Sequence, residues 1–218
     1  MIQAFIFDLD GVLTDTAEYH FLAWQQLATQ LGIKFSREDN ELLKGVDRMG
    51  SLELILQLGQ KELSQDEKLM LAEQKNKEYL KLVETMSPAD LFPGVLPLFS
   101  SLKAAGVKTA LASASKNAAL VLQKLCIPDL FDYVADSNLI KNGKPDPEIF
   151  LTCAQALGVK PELCIGVEDA PAGVTAIKTA GMYALGIGEP HALTQADLVI
   201  PAVSAIDQHL FTRLLTMR

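Results

Sequence analysis

The spacing of apolar and polar residues divides the chain into two parts with different secondary structure. From about Thr16 to Ser87, apolar residues recur every three or four positions, as on one face of a helix, and no stretch has a strand pattern. From Pro93 onward, short apolar runs alternate with helical patterns. The predicted strands of this part are 107–112, 133–135, 164–167, 183–187 and 198–200, and its predicted helices begin at residues 95, 117, 147 and 172, with a last one near the end.

The opening stretch, residues 4–12, belongs with the second part. It is an apolar run of strand length that stops at two carboxylates and a glycine. Strands that alternate with helices are typical of βαβ units, so the pattern predicts an α/β fold with a doubly wound, mostly parallel, Rossmann-like sheet. We therefore expect an α/β core made of residues 1–15 and 88–218, into which a helical cap domain, residues 16–87, is inserted.

Composition and charge narrow the class of protein. The 218 residues carry a formal net charge of −8 without a long run of Lys or Arg, which argues against a nucleic-acid partner. Cys126, Cys153 and Cys164 lack a Cys-x-x-Cys spacing and are expected to be small core residues in a reducing compartment. No signal-peptide pattern or membrane-length apolar run is present, and nothing suggests an obligate dimer. We expect a cytoplasmic monomer without a membrane partner.

Two pairs of acidic residues follow predicted strands. Asp8 and Asp10 end the first strand, where side chains two positions apart would point the same way, and Glu168 and Asp169 end another. The first pair alone is explained equally well by a buried strand followed by an acidic turn. Two such pairs at strand ends are harder to explain as helix caps. Because hard oxygen ligands without nearby His or Cys favour Mg²⁺, the pairs predict a magnesium site at this edge of the sheet.

Two further strand ends carry polar residues that suit a phosphate. Ser113 follows its strand as Asp8 follows the first, and Ser115 precedes a helix, where it serves as an N-cap, binds phosphate, or does both. Lys144 lies before a proline, where an isolated lysine is usually a solvated turn residue. A cation there would lower the repulsion between a carboxylate and a phosphate, although Lys141 competes for this role.

These four motifs together resemble those of the haloacid dehalogenase-like superfamily of phosphotransferases. The octapeptide 8–15, Asp-Leu-Asp-Gly-Val-Leu-Thr-Asp, is similar to its opening motif, and the other three match at Ser113, Lys144 and Glu168-Asp169. The resemblance covers essentially the whole chain and implies a mobile helical cap. It implies that Asp8 is the nucleophile that takes up a phosphoryl group and that Asp10 is the general acid/base. It also implies that one Mg²⁺ per chain binds to Asp8, to the carbonyl of Asp10 and to Asp169, with Glu168 as the second choice for the last ligand. Lys144 would neutralise charge on the nucleophile and the phosphoryl group. Ser115, Lys116 and Asn117 would help to hold a sugar phosphate.

The cap residues resemble those of the sugar phosphomutases in this superfamily. The implied substrate-binding residues of the cap are Thr16, His20, Trp24, Gly45, Val46, Arg48, Ser51 and Lys75. Arg48 would hold the non-reacting phosphate, and His20 and Lys75 match hinge positions. The resemblance implies interconversion of β-D-glucose 1-phosphate and glucose 6-phosphate through an aspartyl phosphate, with glucose 1,6-bisphosphate as intermediate and as primer, unless another phosphoryl donor primes the enzyme. Asp47 departs from the pattern of these cap residues. An acid beside Arg48 weakens the positive field of the arginine unless the carboxylate points away from it.

Other functions remain open at this stage. A sugar-phosphate phosphatase of the same superfamily would keep all four motifs but would not need Arg48. A phosphonate hydrolase would need a Schiff-base lysine in the cap. A phospho-accepting signalling domain also has a doubly wound sheet and an acidic cluster, but it lacks a cap of this size and has no need of Asp10. Haloacid hydrolases are disfavoured because they use neither a second Asp nor Mg²⁺.

Overall fold

A parallel sheet forms the centre of the fold in this computed structural model, which describes residues 1–43 and 46–216. The six strands in these residues are β1 (Ala4–Phe7), β2 (Lys108–Leu111), β3 (Tyr133–Val134), β4 (Cys164–Glu168), β5 (Tyr183–Ile187) and β6 (Leu198–Ile200). Their order is β3-β2-β1-β4-β5-β6, and every neighbouring pair is parallel. The predicted doubly wound α/β fold is confirmed.

Helices precede or follow the strands as a doubly wound sheet requires. In chain order they are α1 (Ala17–Gln30), α2 (Arg37–Glu41), α3 (Arg48–Leu58), α4 (Gln65–Val83), α5 (Val95–Ala104), α6 (Ala118–Lys124), α7 (Glu148–Leu157), α8 (Pro171–Thr179) and α9 (Gln208–Thr216). Short 3-10 turns lie at Pro88–Asp90, Pro128–Leu130, Pro161–Leu163 and Val203–Ala205. None of the described helices has an apolar stretch long enough to cross a membrane.

The chain divides into two compact units, Met1–Asp15 with Ser87–Arg218, and Thr16–Met86. The described residues of the second unit form α1 to α4 and contain no strand. Ser87, the last residue of the predicted cap, belongs to the first unit, because its hydroxyl accepts a hydrogen bond from Ala89 and begins the turn Pro88–Asp90.

Each unit has its own hydrophobic cluster. In the first, all four side chains of β1 are fully buried, as expected for a central parallel strand covered by helices on both faces. In the second, aromatic and aliphatic residues of α1 and α3 pack together. The helix α2 was not predicted because it has no apolar stripe. It is held instead by a capping box in which Ser36 and Asp39 bind each other's backbone N–H groups.

The cysteines only partly follow the expectation. Cys153 and Cys164 are buried, and burial raises the pKa of both thiols to about 12, so they are protonated at neutral pH. Cys126 is exposed, which makes its expected place in the core wrong. It follows α6 with a φ of 58°, where the chain turns away from the packed face of the helix.

Candidate active site

The ends of three central strands lie at the same level of the sheet. The backbone N–H of Asp8 donates to the carbonyl of Val167 on β4 at 2.9 Å, and the N–H of Ala112 after β2 donates to Phe7 at 2.7 Å. Because the strands are parallel, this pairing brings Asp8, Ser113 and Glu168 to one edge. The sequence placed ligand groups at this edge, where open α/β sheets bind their ligands.

Asp8 and Asp10 are not two residues of one strand, and the strand-based reason for their facing one volume is wrong. The strand β1 ends at Phe7, and the Asp8 carboxylate accepts the backbone N–H of Asp10 through Oδ2 at 2.9 Å. This bond starts a turn that continues through Gly11, whose φ is +76°. The turn fixes the orientation of the Asp8 carboxylate while Oδ1 faces Lys144.

Lys144 is the cation on Asp8. Its side chain is 1% exposed, and its Nζ donates to Asp8 Oδ1 at 2.6 Å and to Glu168 Oε1 at 2.5 Å. Burial alone would lower the pKa of Lys144, but the two carboxylates outweigh it and raise the pKa above its ordinary value. Lys144 therefore stays charged. The competing Lys141 is exposed, and its backbone N–H binds Glu148.

The second acidic pair divides into two different environments. Glu168 is 1% exposed, and its other oxygen accepts the N–H of Ala170 at 2.9 Å. Burial raises the pKa of the Glu168 carboxyl, Lys144 opposes that rise, and the charge of Asp8 adds to it. The carboxylate of Asp169 lies against Gly11, where a Cβ would fall 3.1 Å from Asp169 Cβ and closer still to its carboxylate. Asp169 is therefore beside the turn that carries Asp10.

The donor set at this edge fits Mg²⁺. Asp8, Asp10 and Asp169 supply carboxylate and carbonyl oxygens, and both oxygens of Asp8, like both oxygens of Glu168, also accept a hydrogen bond. Among the residues that the structure describes, no three Asp, Glu, His or Cys side chains are grouped so that they alone could hold a metal ion. Mg²⁺ usually binds to one or two carboxylates and keeps several waters, so it does not need such a cluster. The negative charge that Lys144 leaves unbalanced also favours a divalent cation.

The loop after β2 is built from hydroxyl-to-backbone bonds. Ser113, 2% exposed, accepts the N–H of Ser115 at 3.1 Å, and Ser115 in turn accepts the N–H of Asn117 at 3.2 Å. Asn117, rather than Ser115, is the N-cap residue of α6. Lys116 is exposed, and its charge helps to lower the pKa of Asp136, after hydrogen bonds from Asn138. Asp136 follows β3, so it also lies at this edge, and the sequence analysis did not single it out.

A buried lysine and a half-buried histidine meet inside the cap unit. Lys75 is 3% exposed, and its Nζ lies 2.8 Å from His20 Nδ1. Burial lowers the pKa of His20 well below its usual value, and the charges of Lys75 and Arg48 lower it further. His20 is therefore neutral at pH 7 and accepts this bond through Nδ1. Trp24 is itself buried, and its ring centroid lies 4.5 Å from Lys75 Nζ, so Trp24 supports the lysine by a cation–π contact.

Arg48 is the first residue of the helix α3. It donates through Nη2 to Asn76 Oδ1 on α4 at 2.9 Å. The neighbouring Asp47 points away from it, since this carboxylate is the N-cap and accepts the N–H groups of Met49 and Gly50 at 2.8 and 3.0 Å. Asp47 therefore does not form an ion pair with Arg48 that would cancel the positive charge of the guanidinium.

The remaining cap residues named from the sequence are placed as follows. Thr16 is buried and accepts the N–H of His20 at 2.9 Å as α1 begins. Ser51 is buried on α3, and its hydroxyl is 3.5 Å from the carbonyl of the half-buried Val46. Gly45 lies outside the described residues.

Comparison with known proteins identifies the family. A model of the haloacid dehalogenase-like hydrolase family matches residues 2–181. The chain is 47% identical over 211 residues to the β-phosphoglucomutase of Bacillus subtilis (strain 168), covering 96% of this chain and 93% of that protein. It is 30% identical to the phosphorylated carbohydrates phosphatase of Thermotoga maritima, covering 92% and 91%. A crystal structure of β-phosphoglucomutase from Clostridium difficile superimposes with a TM-score of 0.95 at 44% identity, over 100% of both chains. These matches confirm the resemblance found in the four motifs, and the chain belongs to the haloacid dehalogenase-like hydrolase family.

Proposed function

We propose that this protein is a Mg²⁺-dependent phosphomutase that interconverts β-D-glucose 1-phosphate and glucose 6-phosphate. In the proposed cycle, phospho-Asp8 donates its phosphoryl group to the C6 hydroxyl of β-D-glucose 1-phosphate. The glucose 1,6-bisphosphate formed then turns over, and its C1 phosphate returns to Asp8. A bisphosphate or another phosphoryl donor primes the cycle by phosphorylating Asp8.

The contact of Lys144 with Asp8 carries the proposal for the core. A carboxylate attacks a phosphate only if their mutual repulsion is reduced, and a buried cation 2.6 Å from Asp8 Oδ1 is placed to do so. The bond from Asp10 N–H to Oδ2 holds the carboxylate in one orientation, so the attacking oxygen need not search for its position. Bound to Asp8, Asp169 and the carbonyl of Asp10, Mg²⁺ would supply further stabilisation of the charge on the phosphoryl group.

Asp10 is proposed as the general acid and base. In the first transfer its carboxylate takes the proton of the C6 hydroxyl as that oxygen bonds to phosphorus and the bond between phosphorus and Asp8 breaks. In the second transfer it gives the proton to the C1 oxygen as Asp8 attacks the C1 phosphate. The turn after β1 places the Asp10 backbone against Asp8, two residues from the nucleophile.

The cap favours a mutase over a simple phosphatase. A bisphosphate has a distal phosphate that needs its own cation, because Lys144 is committed to Asp8 and Glu168. Arg48 is proposed to bind it, since a planar guanidinium suits phosphate. The B. subtilis relative bears the name of the mutase at 47% identity, whereas the T. maritima phosphatase is 30% identical.

Product analysis tests this proposal. With β-D-glucose 1-phosphate and a glucose 1,6-bisphosphate primer, we expect the wild-type protein to produce mainly glucose 6-phosphate, as measured by phosphorus NMR. Arg48→Ala should lower the ratio of glucose 6-phosphate to inorganic phosphate at least ~10-fold, as expected for the loss of a charge-assisted contact. Arg37→Ala, which removes an exposed cap arginine paired with Glu18, is the control and should leave the ratio unchanged. Mainly inorganic phosphate from the wild type would favour the phosphatase.

A further inference from the structure

We infer that Asn76 is a positioning residue for substrate binding: it orients the guanidinium of Arg48 toward phosphate without neutralising it. The inference rests on the proposed function, because it assigns a role to the hydrogen-bond partner of the proposed distal-phosphate cation. Asn76 lies on α4, and its Oδ1 accepts from Arg48 Nη2 at 2.9 Å. The sequence analysis gave Asn76 no role of its own.

The direction of this hydrogen bond is fixed by chemistry. A guanidinium has only donors, so the amide of Asn76 must turn its oxygen toward Arg48. The two residues are 28 positions apart and lie on α3 and α4, which pack against each other. One edge of the guanidinium is therefore held by a second helix. An arginine restrained in this way loses less conformational freedom when it binds phosphate than one that moves freely.

Asn76, the hydrogen-bond partner of Arg48, carries no charge, and this supports a role in binding an anion. A carboxylate at the same position would orient Arg48 equally well, but it would also satisfy the charge that a phosphate must attract. The nearby acid, Asp47, has its carboxylate bound to the N–H groups of Met49 and Gly50. Asn76 thus supplies geometry while the positive field of Arg48 is kept for a ligand. Its neighbour Lys75, which is buried, is likewise paired with a neutral group, the His20 ring.

Two substitutions of Asn76 distinguish its effect on the orientation of the Arg48 side chain from an effect on the positive electrostatic field of Arg48. Asn76→Asp keeps the acceptor and its length, whereas Asn76→Ala removes the acceptor without adding charge. Gln74→Glu is the matched control: it adds the same charge two residues away on the same helix, at an exposed position, and removes only the bond that Gln74 Nε2 donates to Gln30 Oε1. Arg48→Ala tests the underlying assignment of Arg48 in the same assay. Steady-state kinetics, with glucose 1,6-bisphosphate as primer, give kcat and the KM for β-D-glucose 1-phosphate. Acetyl phosphate, a donor with no distal phosphate, measures the phosphorylation of Asp8 alone.

We expect Asn76→Asp to raise KM about 10-fold or more, Asn76→Ala to raise it about 3-fold, and Gln74→Glu to leave it unchanged. Phosphorylation by acetyl phosphate should stay within about 2-fold of wild type in all of these variants, which a loss of folding would not allow. If Asn76→Asp and Gln74→Glu have equal KM values while Arg48→Ala raises KM, the inference about Asn76 is wrong and the proposed role of Arg48 stands. If Arg48→Ala leaves KM unchanged, the proposed role of Arg48 is wrong, and the inference falls with it.

Discussion

Gly173 on α8 is a residue whose replacement should destabilise the active-site edge even though alanine favours helices. A Cβ at Gly173 would lie 2.6 Å from Glu168 Cγ and closer still to its Oε1 and Cδ. Glu168 is 1% exposed and binds Lys144 and the N–H of Ala170, so its side chain cannot move without breaking these bonds. Gly173→Ala should therefore displace the Glu168 carboxylate.

The magnitude follows from two opposing effects. Replacing glycine by alanine inside a helix stabilises it by about 0.5–1 kcal/mol. Breaking a buried ion pair so that one partner loses its contact costs about 3–5 kcal/mol. Because Lys144 keeps its bond to Asp8, the cost belongs at the lower end of that range. We expect Gly173→Ala to lower the free energy of unfolding by about 2–3 kcal/mol, measured by urea denaturation.

A double-mutant cycle makes the test specific. In a Glu168→Ala background the carboxylate is gone, so Gly173→Ala should now stabilise the protein by about 0.5–1 kcal/mol. The sign of the effect should reverse between the two backgrounds. If Gly173→Ala stabilises the wild type, or if its effect is the same in both backgrounds, the steric argument is refuted.

Three further predictions concern the metal, the acid/base residue and the cap histidine. Asp169→Ala should weaken Mg²⁺ binding, measured by calorimetry, at least ~10-fold, because it removes a hard ligand; full activity in excess chelator would contradict the metal assignment. Asp10→Asn should keep the fold and Mg²⁺ binding but slow turnover about 10²–10⁴-fold, whereas Asp8→Ala should show no phosphoenzyme by mass spectrometry; normal turnover of Asp10→Asn would exclude the assigned role. The pKa of His20 is lowered in the folded state, so the unfolded chain binds a proton that the folded protein does not, and stability should fall as the pH drops below about 6.5. His20→Gln should lack this contribution, at most about 1.4 kcal/mol per pH unit, in urea denaturation between pH 5 and 7.5; equal pH slopes for the two proteins would argue against a neutral His20.

The strands were predictable because their signal is local. The predicted strands 183–187 and 198–200 agree with β5 and β6 residue for residue, since each is a short apolar run bounded by turn residues. The end of β1 was less predictable. Asp8, Leu9 and Asp10 alternate between polar and apolar as a strand would, but the Asp8 carboxylate bonds to the backbone of Asp10 and turns the chain out of the sheet.

The active-site residues were visible where a motif marked them, but their contacts were not. Of the two lysines only Lys144 precedes a proline, but that local feature does not reveal its role. The role arises from contacts with Asp8 and Glu168, which are 136 and 24 positions away in the chain. The roles of Asn76 and Gly173 depend in the same way on partners in other elements. Such contacts come from tertiary packing, which a single sequence does not encode locally.

The sharing of Lys144 between two carboxylates has a consequence for how the proposed reaction proceeds over time. If Asp8 becomes an acyl phosphate, the negative charge moves from its carboxylate to the phosphoryl oxygens, and a lysine held by Asp8 alone would be free to shift with it. Glu168 does not react, and its bond from Lys144 at 2.5 Å together with the one from Ala170 keeps the ammonium group in place. The charged groups around Asp8 therefore need little rearrangement before the phosphoryl group returns. The same electrostatic environment stabilises transfer in both directions.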